Sequence, residues 1–195
     1  MRLKIVQAGE PVLRQAAREL SAEEIRSKET QQLIEWMRET MRDAPGVGLA
    51  APQVGLSLQL AVIEDPADLQ RAMAPEKLAE RQRRPVPFHV IVNPVLALDG
   101  PAVEFFEGCL SLPGLFGLVP RVTRALVECL DQNGEPKSIV AEGWYARILQ
   151  HEIDHLHGTM YVDRMHTRSL TTADNLNRHW NELPIADVKS RLGLT

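Results

Sequence analysis

Two histidines four residues apart, with a glutamate directly after the first, occupy the stretch QHEIDHLHG from Gln150 to Gly158. On an α-helix, His151 and His155 lie about 40° apart around the axis, so both imidazoles can reach one metal ion from adjacent turns. Glu152 stands about 100° from His151, too far round to be an obvious ligand but near enough to act on a molecule bound to the ion. That is the place of a general base, which takes a proton from water and returns it to a leaving group. The same spacing arises by chance on amphipathic helices, where paired histidines are solvated or packed in a core. His157 falls off that face and reads as a surface residue near the helix end, where positive charge is favourable.

A catalytic ion needs a third protein ligand and one position left open. Downstream, Asp163, His166, His179 and Glu182 carry suitable atoms, but none sits in a convincing turn. Upstream, EGCLS (Glu107 to Ser111) places Cys109 just after an apolar, strand-like run. A buried structural thiol is the competing reading for each cysteine, and for Cys129, inside VECLD, it is the one adopted.

The elements that must position these residues follow from periodicity. Ser21 and Glu24 form a capping-box pattern, and Leu33, Ile34, Met37 and Met41 recur at helical spacing, which predicts a helix over 24–43 ended by Pro45-Gly46. QLAVIED, FHVIVNPVLALD, VEFF and RVTRALVECLD read as strands, with a tight hairpin turn at Asn133-Gly134 before PKSIVAE. The polar stretch 66–87, with Arg81, Arg83 and Arg84 near its end, reads as a solvated surface insertion holding a short helix. A helix is expected over 144–157, stopped by Gly158, then a short strand at TMYVDRM. Strands first, one long helix late and no βαβ alternation predict an α+β fold.

The chain has 195 residues, 44% hydrophobic and 25% charged, which suits one domain with a single core. A net charge of -4 offers no global attraction for nucleic acid or a membrane surface. The amino-terminal stretch lacks a continuous apolar signal, no segment approaches the ~20 apolar residues of a membrane span, and two cysteines are too few for a disulfide framework. A cytoplasmic location is the expectation.

Three blocks, GVGLAAPQ (Gly46 to Gln53), EGCLS (Glu107 to Ser111) and QHEIDH (Gln150 to His155), together resemble the peptide deformylase family, in its order and at similar separations. The resemblance implies antiparallel strands packed around a central metal-binding helix, a catalytic domain over 1–165 and a carboxy-terminal extension over 166–195, partly helical and docked on it. It implies hydrolysis of the N-terminal formyl group from the formylmethionine of newly made polypeptides, releasing formate. It further implies Cys109, His151 and His155 as metal ligands, Glu152 as acid and base, and the Gln53 amide with the Leu110 backbone N–H facing the carbonyl oxygen. Ferrous iron is the ion it favours, with zinc, nickel or cobalt also compatible.

Gly46 and Gly48 are expected to let an extended substrate pass close and pair as an added strand. Trp144 and Ile148, on the histidine face, are candidates to line a methionine pocket, with Glu107 and Phe105 nearby by resemblance; core packing competes for Trp144. The chain departs from many bacterial relatives in one place: Phe116 stands where an arginine follows the cysteine by seven residues, which alters peptide preference beyond formylmethionine. Expected partners are formylmethionyl nascent peptides, with a transient ribosome contact, no specific nucleic acid, no membrane and a monomeric state. Two competitors remain: a zinc peptidase with a downstream third ligand, and a metal-stabilised module that binds nascent chains without cutting them, which would close the site with four ligands.

Overall fold

The computed structural model describes residues 1–71 and 73–194. Its centre is an antiparallel sheet in the order β1 (Gly48–Ala50), β2 (Leu60–Asp65), β3 (Val86–Cys109), β4 (Leu112–Leu130) and β5 (Pro136–Glu142), with the two-residue β6 (Thr171–Thr172) pairing β4 at Leu115 and Phe116. Helices α1 (Ala22–Arg26) and α2 (Lys28–Asp43) cover one face, and α5 (Gly143–Leu156) covers the other. This is the α+β arrangement of antiparallel strands around a central helix.

Burial on two faces explains why β2 reads as an unbroken apolar run. Leu60 and Val62 pack with Leu33, Met37 and Met41 of α2, while Ala61 and Ile63 point the other way, against Leu149 and Ile153 of α5. In β3, Val90 and Val92 face α2 and Ile91 faces α5. Farther along the sheet only the α5 side is covered, and alternation returns: Ala125 and Val127 are buried, whereas Leu126 is 41% exposed and Val140, its neighbour on β5, is 69% exposed.

Several expectations are corrected. The helix over 24–43 is two helices, because Ser27 adopts extended backbone and caps α2 through Thr30 N–H; the Ser21/Glu24 capping box instead starts α1. FHVIVNPVLALD and VEFF are one strand, β3, carried past Asp99 and Ala102 by a register shift, and its partner β4 begins at Leu112, in a stretch left without an element. The β4–β5 turn has three residues between the paired Asp131 and Glu135, with Gly134 rather than Asn133 at positive φ. TMYVDRM is not a strand. Asp163 accepts from Met160 N–H and pairs with Arg14, closing a 3-10 turn over Tyr161–Asp163.

The 66–87 insertion holds two helices, α3 (Ala67–Gln70) and α4 (Pro75–Glu80), and β3 starts inside it at Val86. Its arginines are not merely solvated. Arg83 makes a two-pronged pair with buried Asp65 at 2.8 Å, and Arg81 lies 4.9 Å from the Trp144 ring centroid. After residue 170 come β6, a helical turn α6 (Ala173–Asn175) running into a π-helical turn Leu176–Trp180, and α7 (Ile185–Leu192). Val188 is fully buried, and Lys189 and His166 both hold Glu104 of β3, at 2.7 and 2.6 Å.

Candidate metal centre

Helix α5 runs through the interior with most of its residues buried, Arg147, Glu152, Asp154 and His155 among them, so each polar group must find a partner or a use. His151 and His155 project from adjacent turns with ring centroids 5.0 Å apart. Cys109 ends β3 at the tip of the β3–β4 hairpin, and the hairpin delivers its sulfur to the helix. Cys109 Sγ lies 3.3 Å from His155 Nε2, and the potential ligand atoms of Cys109, His151 and His155 are all within 4.8 Å of one another.

Each ring is fixed from behind. His151 Nδ1 is 3.0 Å from Glu107 Oε2, which leaves Nε2 to face the sulfur, and the ring stacks on Tyr161, whose hydroxyl donates to Leu115 O. Glu107 also takes two hydrogen bonds from Arg121 and one from Arg147, at 2.7–3.0 Å. Arg121 continues to Asp154, which Arg164 grips with two more bonds. Burial alone would raise the Glu107 carboxyl; His151 and Arg121 outweigh it and hold the group well below the usual carboxylate range. Glu107 lines the cavity, with both its oxygens engaged by His151, Arg121 and Arg147.

Burial lowers the His155 ring, and His151 lowers it further, so it stays neutral as a ligand must. Burial would also lower His151, but Cys109 and Glu107 hold it above the ordinary value. Glu152 is buried, its Oε2 has no hydrogen-bond partner, and burial pushes its carboxyl up to about 7. A Cβ at Gly48 would overlap this carboxylate, so that glycine makes room for Glu152 while also lining the cavity. Gly46 is close to a different neighbour: a Cβ there would stand 2.8 Å from Leu110 Cδ1.

Gln53 is buried on a 3-10 turn, Ala51–Val54, after β1. Its Oε1 accepts from Ala50 N–H at 2.9 Å, which aims Nε2 at Cys109 Sγ and Ser111 Oγ, each 3.4 Å away. Ser111 N–H also points at the sulfur, at 3.4 Å. The thiolate is the form of cysteine that binds metals. One thiolate, two imidazoles with defined free nitrogens and a buried unpartnered carboxylate fit a divalent ion with an open position.

One cavity of about 730 Å³ joins these groups to Trp144, Ile148 and Phe116. Trp144 and Ile148 line it while packing against the α5 core, so wall and core roles coincide. Among the described residues the metal-binding cluster is Cys109, His151 and His155. Asp163 is engaged by Arg14, His166 by Glu104 and Glu182 by Lys77, which disposes of most of the downstream third-ligand alternatives. Tyr161, Arg121, Arg147 and Asp154 were not picked out from the sequence: Arg147 and Asp154 lie on the metal helix as ordinary-looking charges, and Arg121 on β4 and Tyr161 on its 3-10 turn meet it only through the fold.

The family model for polypeptide deformylase matches residues 2–170. Peptide deformylase 1A, chloroplastic, of Solanum lycopersicum is 44% identical over 97% of this chain and 67% of its own length. The Met-Ala-Ser-bound class I type b peptide deformylase of Acinetobacter baumannii superposes with a TM-score of 0.75 at 34% identity, over 85% of this chain and 99% of that one. A peptide deformylase from Synechococcus elongatus in complex with actinonin gives a TM-score of 0.70 at 36% identity, over 92% of this chain and 85% of that one.

Proposed function

The chain belongs to the polypeptide deformylase family, hydrolases that remove the N-terminal formyl group from nascent polypeptides, and we propose how its own residues divide that work. Cys109, His151 and His155 hold one divalent ion, with Glu107 orienting His151. When bound, the ion supplies Lewis-acid polarisation of the formyl carbonyl and lowers the pKa of the attacking water. Ferrous iron is our choice of resident ion, and zinc, nickel or cobalt suit the same mixed sulfur and nitrogen donors.

Glu152 takes the proton from the attacking water and passes it to the methionine nitrogen as the formyl carbon–nitrogen bond breaks, releasing formate. Its unpartnered oxygen supports that role, since no hydrogen bond must be broken first. The Gln53 amide and the Leu110 backbone N–H face the carbonyl oxygen as charge grows there, and each such donor is worth ~3 kcal/mol in comparable sites. Gln53 is prepared for this because its own oxygen is already committed to Ala50. Gly46 gives the substrate backbone a close approach beside β1, an edge strand of the sheet, and Trp144 and Ile148 flank the methionine side chain.

We further propose that residues 1–165 are the catalytic domain and 166–195 an extension docked on it, acting as a monomer in the cytoplasm with a transient ribosome contact. No helix among the described residues is long and apolar enough to cross a membrane. The observation that carries the reading is the convergence of three ligand atoms and one unpartnered buried carboxylate on a single cavity. The test is formate release from formyl-Met-Ala-Ser under anaerobic conditions with iron supplied. No release with iron, zinc, nickel or cobalt defeats it.

A further inference from the structure

The cavity that holds Cys109, Gln53 and Glu152 is also lined by Trp180, Leu183 and Ile185, none of which takes part in the proposed chemistry. Those last three lie beyond residue 170, where the family match stops. A volume of about 730 Å³ suits a ligand of several residues, since cavities for drug-sized molecules run ~300–1,000 Å³.

The wall beyond residue 170 is fastened at three points. Thr171 and Thr172 pair with Phe116 and Leu115 of β4. Fully buried Val188 anchors α7, helped by Lys189 on Glu104. Between these anchors, Lys77 of α4 reaches across to Glu182 Oε1 at 2.6 Å and to Asn181 O at 2.8 Å. A segment held this way presents its side chains at little further entropic cost. What it presents to the cavity is apolar, with Trp180, Leu183 and Ile185 only half-buried.

Resting on the proposed function, we propose that residues 176–185 form the binding wall for the third residue of the formylated peptide and favour an apolar side chain there. The Lys77–Glu182 pair holds that wall at its working distance from α4. Such a wall offers specificity in place of the charge that Phe116 cannot provide, and Phe116 pairs with Thr171, just ahead of the segment.

The test uses the full-length, iron-loaded enzyme and two substrates, formyl-Met-Ala, which stops short of the wall, and formyl-Met-Ala-Leu, which reaches it. Trp180→Ala and, as a milder change, Leu183→Ala should each raise KM for the longer peptide roughly fivefold to tenfold, the scale of one apolar contact. Neither should alter kcat or the constants for the shorter peptide. Lys77→Glu should raise KM for the longer peptide about twofold to fivefold, and adding Glu182→Lys should restore it. Equal effects on both peptides, or no effect on the longer one in either wall variant, overturn the inference. A wild-type enzyme that releases formate from neither substrate overturns the underlying function, and is told apart because no variant is needed to see it.

Discussion

The cavity has two walls built on different principles. On the inner wall, Glu107, Arg147 and His151 are bonded to one another and, behind the wall, to buried Arg121 and through it Asp154, so removing one leaves its partners as uncompensated charges. On the outer wall, Lys77 of α4 pairs with Glu182 and donates to Asn181 O of the segment after residue 170, with the Lys77 side chain 26% and that of Glu182 77% exposed. Such exposed pairs contribute ~0–1 kcal/mol. The contrast separates two tasks: the inner wall holds reacting groups to fractions of an ångström and tolerates little, while the outer wall tunes which peptide is accepted and is free to vary.

The sharpest way to break this contrast is at Glu152. Glu152→Gln should keep its metal and lose roughly 10²–10⁴-fold in kcat, checked by formate release alongside metal analysis; near-normal turnover in a metal-loaded variant removes the acid and base assignment. Gly48→Ala should push the Glu152 carboxylate aside and lower kcat about a hundredfold, the cost of a misplacement near 1 Å. Glu107→Ala should cost about 3–5 kcal/mol in a urea melt and weaken metal binding roughly tenfold to a hundredfold. If stability and metal affinity both survive, the inner wall is no more demanding than the outer one.

Chelation of divalent ions should lower the melting temperature, since a ligand at a hundred times its Kd stabilises by about 2.7 kcal/mol; an unchanged melt would mean that the centre contributes nothing to the fold. The smallest effect belongs to the outer wall. Burial would raise the Glu104 carboxyl, but Lys189 and His166 outweigh it and hold it below the ordinary value. A depressed carboxylate contributes stability that is present above its unfolded pKa and lost as pH falls through the folded one. Acidification below the usual glutamate range should therefore loosen α7 by less than about 1 kcal/mol. Amide exchange at 185–192 would show it, and Glu104→Gln should abolish the pH dependence.

Legibility in the sequence followed how local each signal was. The i, i+4 histidines, the capping box at Ser21 and the helix stop at Gly158, where φ is +72°, depend on neighbours in the chain and could be read directly. Cys109 stands 46 residues from His155 and has no local mark of its own, so only the joint pattern of three blocks tied it to the helix. Apolar patterning found strands but not their continuity, because the register shift between Asp99 and Ala102 lets β3 continue through a Gly-Pro pair that ordinarily ends a strand. The outer wall stayed hidden for a related reason: Lys77 and Glu182 are 105 residues apart, and each is an unremarkable surface charge until the fold brings α4 over the carboxy-terminal segment.

The missing side chain at position 48 couples two sites far apart in the chain. Because the Glu152 carboxylate fills the space a methyl group would take, position 48 cannot gain a side chain while Glu152 keeps its place. A lineage that acquired alanine at 48 would first need a shorter acid at 152, and that intermediate would carry its carboxylate about one methylene short of the reacting atoms. The order of permissible substitutions is thus written into a single van der Waals contact.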